Sequence, residues 1–303
     1  MTKNSNLRGL LFATATALLW GFLAIAIKVA VVSVDAYSIV WFRFAVAFSV
    51  LGSYYLIKKP KTLKILVKPP PLLIIASLGL GLNYILYVKG LEYTGANSVQ
   101  ILIQMGPMML IVAGVLVFKE KINRRQLLGI GIALIGFYFF YNEQFQTLVN
   151  DYQDFKLGVL IIFLSASCWV IYAVLQKILV KDYPPQQLNL FIYFLPAILF
   201  IPFVDFAVFP TLGLGDYLLL AFLGLNTLLA YGFLGEAFKH TEANKVSMII
   251  TMNPIITLVS MTVLYYLEVT WVKTELTSTL GFFGALLFVV GAVTAVISSN
   301  KGS

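Results

Sequence analysis

The sequence predicts an all-α membrane protein whose ten transmembrane helices form two inverted five-helix repeats. Three observations predict it. Of 303 residues, 60% are hydrophobic and only 11% charged, with a mean hydropathy of +0.92. Soluble domains average about 25% charged residues, so an apolar excess of this size calls for a bilayer. Ten nearly uncharged stretches, each close to the length that crosses hydrocarbon, follow one another with short connections. The second half of the chain also echoes the first in the same order.

About 20 apolar residues span the hydrocarbon. That ruler places segments at 8–32, 37–57, 71–91, 97–117, 125–141, 157–179, 187–204, 217–238, 244–266 and 279–298. The first is longer than a signal h-region and lacks a clear processing site, so it is read as a retained span. Charge orients the set. With the N-terminus inside, the inner loops and tails hold fifteen basic residues: Lys3, Arg8, Lys58, Lys59, Lys61, Lys64, Lys68, Lys119, Lys121, Arg124, Arg125, Lys181, Lys239, Lys245 and Lys301. The outer loops hold two, Lys156 and Lys273. This bias predicts that both termini are cytoplasmic. It also assigns the net charge of +8 to membrane orientation, so no nucleic acid partner is expected. The expected setting is a bacterial inner membrane, with the lipid bilayer as a partner.

A single cysteine, Cys168, and a single histidine, His240, exclude an intramolecular disulfide and a multi-ligand Cys/His metal site. Cys168 sits in an apolar run and reads as a small core residue. No phosphate-cradling Gly-rich loop with its lysine occurs, so ATP hydrolysis is not expected. The acids lie mostly in loops and no nucleophile–base pair falls in the bilayer. The chain is therefore read as a non-enzyme without a cofactor or metal.

The echo between halves is specific in order. Gly9, Trp20 and Lys28 recur as Gly158, Trp169 and Lys177, each shifted by 149. Gly81-Leu82-Asn83 recurs as Gly224-Leu225-Asn226, and Met105-Gly106-Pro107 as Met252-Asn253-Pro254. Gly129 and Gly136 answer Gly284 and Gly291. The units are residues 1–142 and 157–303, with 143–156 as an external linker. Five helices per unit is an odd number, so the second unit starts on the opposite side of the membrane. That arrangement is associated with alternating access around a midplane site.

Several short motifs add a resemblance. They are Trp20-Gly21, Phe42-Arg43-Phe44, Tyr93-Thr94-x-Ala96, Pro107 ahead of the Lys119-Glu120 turn, and the glycine-spaced fifth segment. Thr241-x-Ala243, Pro254, Leu267-Glu268 and Gly284 repeat the set. In these the chain resembles the drug/metabolite transporter superfamily, in its ten-helix EamA-type branch, over essentially its whole length. The resemblance implies a central cavity lined by both halves and a small-molecule substrate; the branch includes exporters of amino acids and other metabolites. One departure is Ile192, where the second copy has no equivalent of Arg43.

Candidate binding residues follow from polarity inside the segments. Segment four carries Asn97, Gln100, Gln104 and Pro107 at spacings of 3, 4 and 3, one helical face. Segment nine carries Asn244, Ser247, Thr251 and Pro254 at the same spacings. Polar groups in lipid face protein or water, and these stripes are read as a cavity face in preference to a helix–helix seam. Asn83 and Asn226 fall near the middles of segments three and eight. Trp20, Trp169, Tyr172, Tyr84 and Tyr231 supply aromatic walls, and Arg43 is the deeper of the basic residues in the outer half. Glu236 is the one acid well inside a segment, hence the candidate proton carrier, with Lys177 as its expected partner. Pro107 and Pro254 are expected to kink their helices. The expected function is export of amino acids or similar small metabolites; the alternative is uptake of a small anionic or nucleoside-like metabolite. A monomer and a homodimer are both compatible with the sequence.

Overall fold

The structure is a computed structural model and describes residues 3–94, 99, 102–148, 152–272 and 279–299. Among them every regular element is helical. In chain order these are α1 (Lys3–Ala30), α2 (Ala36–Lys58), the short α3 (Lys64–Val67), α4 (Pro71–Thr94), α5 (Met105–Leu116) and α6 (Arg124–Leu148). Then follow α7 (Tyr152–Leu179), α8 (Pro185–Leu199), α9 (Leu214–His240), α10 (Ala243–Ile250), α11 (Asn253–Tyr266) and α12 (Thr279–Ser299). Among the described residues six spans are long and apolar enough to cross a membrane: Asn4–Ala30, Ala36–Lys58, Pro71–Gly90, Lys156–Leu179, Leu214–His240 and Ala243–Tyr266. Met105–Leu116 and Thr279–Ala295 are shorter apolar helices.

Local chemistry sets several helix ends. The Asp35 carboxylate accepts from the backbone N–H of Tyr37 and Ser38, both at 3.0 Å, and starts α2. Asn123 and Gln126 exchange side-chain-to-backbone bonds of 2.8 and 2.9 Å, a capping box that starts α6. Pro71 and Pro185 open α4 and α8, where their fixed φ suits the first helical position.

The prolines of segments four and nine act differently from expectation. Segment nine is two helices, α10 and α11, parted by a turn at Thr251 and Met252. Pro254 sits in the first turn of α11, and Pro107 in the first turn of α5. Neither kinks a continuous helix. Each helps to start a new one, where the first N–H groups have no intrahelical partner in any case. Both of these later pieces run out into a left-handed residue, Lys119 (φ 54°) and Glu268 (φ 52°). The expected linker at 143–156 is helical up to Leu148 and again from Tyr152. Segment seven is shorter than expected: α8 stops at Leu199 and a 3-10 turn covers Ile201–Phe203.

The helices pack in a regular scheme. α1 lies against α9, and α4 against α7. α2 touches both α8 and α9, α5 lies on α10, and α6 on α12. Phe44, Tyr172, Tyr193 and Phe200 are fully buried where these helices meet. Leu18, Phe22, Phe222 and Leu286 are among the large apolar side chains on the outside, as a lipid-facing surface requires. The α6–α12 contact is made by small residues. A methyl added at Gly136 would stand 2.3 Å from the backbone nitrogen of Phe288, so the two backbones touch.

Candidate functional site

A cavity of about 160 Å³ lies between the two halves of the chain. α1, α2, α4 and the start of α5 wall it from the first half; Trp169, Tyr231, Ile250 and Asn253 wall it from the second. Its mouth is at Val31 and Ala36, which flank the α1–α2 connection. Its floor is at Trp20, eleven residues earlier on α1, so it is about 16 Å deep at 1.5 Å rise per residue.

The floor is an aromatic cluster. Trp20 meets Trp169 edge-on at 6.2 Å and Tyr231 at 5.3 Å between ring centroids. Tyr231 in turn meets Tyr172 at 5.6 Å and Tyr84 at 6.5 Å. The first three contacts are edge-to-face and the Tyr84–Tyr231 pair is tilted; each edge-to-face pair adds about 0.5–1.5 kcal/mol beyond simple burial. Tyr172 is fully buried behind Tyr231 and does not line the cavity.

Arg43 enters from α2. It is 3% exposed, its Nε donates to the Thr227 hydroxyl at 2.9 Å, and its Nη2 donates to the Tyr84 hydroxyl at 3.1 Å. The guanidinium carbon also lies 4.9 Å from the centre of the Tyr84 ring. An arginine at a helix centre costs about 2.5–3.5 kcal/mol to insert, so neutral partners alone leave most of its charge unanswered.

The related asparagines do related jobs. Asn83 on α4 donates to the Ser165 carbonyl and hydroxyl on α7, both at 2.9 Å, and Ser165 donates back to the Asn83 carbonyl at 2.8 Å. Asn226 on α9 donates to the Leu19 carbonyl on α1 at 2.8 Å. Each hooks its helix to the first helix of the other half. Asn83 also lines the cavity, whereas Asn226 does not.

The two polar stripes divide. Gln104 lines the cavity and is 3% exposed. Gln100 and Asn97 lie outside the described residues. Ser247 donates to the Pro107 carbonyl, and Thr251 to the Met248 carbonyl at 2.6 Å; both are buried in the packing of α10, and neither lines the cavity. Asn253 was not among the expected residues. It lines the cavity, and with its amide turned so that the nitrogen faces acceptors it donates to the carbonyls of Ala17 (2.9 Å) and Ile250 (3.1 Å). Its place in the repeated Met-x-Pro motif was the available signal. Tyr87 was also missed; it follows Asn83 by four residues on the same helix face.

A polar cluster lies outside the cavity lining, between the end of α5 and the start of α10. The two Glu120 carboxylate oxygens accept from the backbone N–H of Ala243 (2.8 Å) and Asn244 (2.9 Å), the N-terminus of α10. Lys177 lies 3.2 Å from Glu120, donates to the Thr241 carbonyl at 2.9 Å, and sits 5.2 Å over the Phe118 ring. The expected Glu236–Lys177 pair is therefore not formed. The α10 N-terminus holds Glu120 beside Lys177, and Glu236 pairs one turn along its own helix with His240, at 3.5 Å. Glu236 does not line the cavity, and Cys168 is half-buried.

The profile of the EamA-like transporter family matches twice, over residues 7–142 and 156–290. An uncharacterized transporter of Haemophilus influenzae is 31% identical over 97% of this chain and 96% of its own length. An uncharacterized inner membrane transporter of Escherichia coli K12, YhbE, is 32% identical over 95% and 91%. A crystal structure superposes with a TM-score of 0.76 at 18% identity, covering 99% of both chains, which supports the fold alone. Two tandem matches that together span the chain, with relatives of the same length, show that the protein is a multi-pass membrane protein belonging to the EamA-like transporter family.

Proposed function

We propose that the protein exports amino acids or similar small metabolites across the bacterial inner membrane by alternating access. In this reading ten spans form two inverted repeats and both termini are cytoplasmic. One observation carries it: a cavity between the two halves, walled by helices of each and bordered by Gln104 and Asn253, where α5 and α11 begin. Interrupted helices beside a midplane cavity are the usual construction of a transporter site.

The packing scheme supports the two-fold relation. Exchanging the halves carries the α1–α9 contact onto α7–α4, α2–α9 onto α8–α4 and α1–α11 onto α7–α5, and leaves α6–α12 on itself. With the termini inside, the mouth at Val31 and Ala36 faces outward, and Glu120 with Lys177 closes the inner end. Gln100, Gln104, Asn83, Asn226 and Thr251 are the polar candidates for substrate, with Trp20, Trp169, Tyr172, Tyr84, Tyr231 and Arg43 around them. Of these, Thr251, Tyr172 and Asn226 would act from behind the lining. Glu236 remains the candidate for coupling to protons. It would work through His240 at the inner end of α9, away from the substrate.

Counterflow in proteoliposomes tests the reading, using radiolabelled amino acids, nucleosides and amines. Saturable exchange of at least one amino acid is expected. Secretion by cells and uptake by inverted vesicles then give the direction. Leakage without saturation, or exchange confined to nucleosides, would remove the amino acid assignment.

A further inference from the structure

Resting on the transporter reading, we propose that Arg43 is the anchor for a carboxylate on the substrate, and that the solute class is an organic monocarboxylate with an apolar, preferably aromatic, body.

Charge within the cavity leads to this. Among the described lining residues Arg43 is the one ionisable acid or base, tyrosines aside, and no carboxylate among the described residues pairs with it. Glu120, Glu236 and Glu242 each pair elsewhere. A guanidinium has five N–H donors. One on Nε goes to Thr227 and one on Nη2 to Tyr84, both neutral oxygens. Three N–H donors remain, two on Nη1 and one on Nη2, and one from each nitrogen can form a fork. That fork matches the two oxygens of a carboxylate.

The surroundings select further. Thr227 spends its own hydrogen on the Leu223 carbonyl at 3.0 Å, so its oxygen is committed to accepting from Arg43 and holds the guanidinium in place. The same Tyr84 that fixes Arg43 touches Tyr231, which touches Trp20. An apolar body next to the carboxylate would meet those rings. A dianion such as a phosphate monoester would carry a second charge with no second base to meet it. A bare amine would meet Arg43 as a like charge.

The experiment uses the full chain in lipid nanodiscs and four probes that share one aromatic body: 3-phenylpropionate, 3-phenylpropionamide, 2-phenylethylamine and phenyl phosphate. Binding is read from tryptophan fluorescence, since Trp20 and Trp169 line the site. The carboxylate should bind at least about tenfold more tightly than the other three. In Arg43→Gln the carboxylate should weaken by at least about tenfold while the amide is unchanged, and Arg43→Lys should recover part of the loss. Retained amide binding shows that the variant is folded. Equal binding of carboxylate and amide, or an Arg43→Gln variant that keeps the preference, overturns the proposal. So does a set in which no carboxylate binds at millimolar concentration. If the amide or amine binds and exchanges while the carboxylate does not, the anchor fails and the transporter reading stands. If no probe binds and the counterflow panel is also silent, both fall.

Discussion

Trp20 shows how much rests on single side chains. It closes the cavity floor by touching Trp169 and Tyr231, one ring from each of two second-half helices. Trp20→Ala removes both contacts and most of the apolar surface a solute would cover. A loss of about 2–3 kcal/mol is expected, or a 30- to 150-fold weaker affinity in counterflow, with normal yield of folded protein. Unchanged affinity would place the substrate elsewhere. Glu236 gives a second residue-scale prediction. If transport uses protons, Glu236→Gln should abolish accumulation driven by a pH gradient and leave exchange measurable, because its 3.5 Å partner is His240 and not a cavity residue. Unchanged gradient-driven accumulation would reduce Glu236 to a helix-end pair. Trp20, Arg43, Asn83, Tyr84, Gln104, Trp169 and Tyr231, expected from the sequence as binding residues, all line one cavity, since bulky or polar residues at those depths have few other places to go. It mispaired Lys177 because depth along a helix axis carries no information on which way a side chain turns.

Two element-scale contacts invite tests. Glu120 joins the end of α5 to the start of α10, filling two N–H groups that the helix leaves open. Glu120→Ala opens those groups and strips Lys177 of its carboxylate. Breaking a buried pair from one side costs about 3–5 kcal/mol, and the Thr241 carbonyl still holding Lys177 reduces that. A lower melting temperature is expected, together with greater reactivity of single cysteines near the inner end if, as proposed, this cluster closes it. An unchanged labelling pattern would mean that the pair is not part of a seal. The α6–α12 contact gives the other test. Gly136→Ala places a methyl 2.3 Å from a backbone nitrogen that cannot move aside, so about 1–3 kcal/mol of stability should be lost. Gly131→Ala on the same helix meets nothing within 4 Å and should be neutral or slightly stabilising. Equal effects would deny that the backbones touch. The glycine spacing was legible in the sequence; which glycine is crowded was not.

At the scale of the whole molecule, orientation is the first expectation. Reporters fused after Lys64 and Arg125 should read cytoplasmic, and one near Asp151 external. The fifteen-to-two distribution of basic residues demands that pattern, and its reverse would remove the proposed topology. Alternating access adds a second expectation. In a Cys168→Ser background, single cysteines at Val31 and at Thr241 should react with impermeant reagent from opposite faces, and a bound solute should shift the two reactivities in opposite directions. Parallel shifts would argue for a channel.

Hydrophobic length, charge asymmetry and the order of repeated motifs are one-dimensional quantities, and from them the sequence alone determined the membrane class, the helical fold, the duplication and the family. They suffice because a bilayer leaves a spanning chain little choice but to satisfy its backbone within helices. Three-dimensional closeness decided the rest. Only the tertiary structure put Glu120 on the N-terminus of a helix 123 residues away, turned Ser247 into the Pro107 contact, broke segment nine ahead of Pro254, and left Arg43 facing a cavity with neutral partners. Those outcomes depend on helix rotation and crossing, which packing sets and which a list of residues along one helix does not contain.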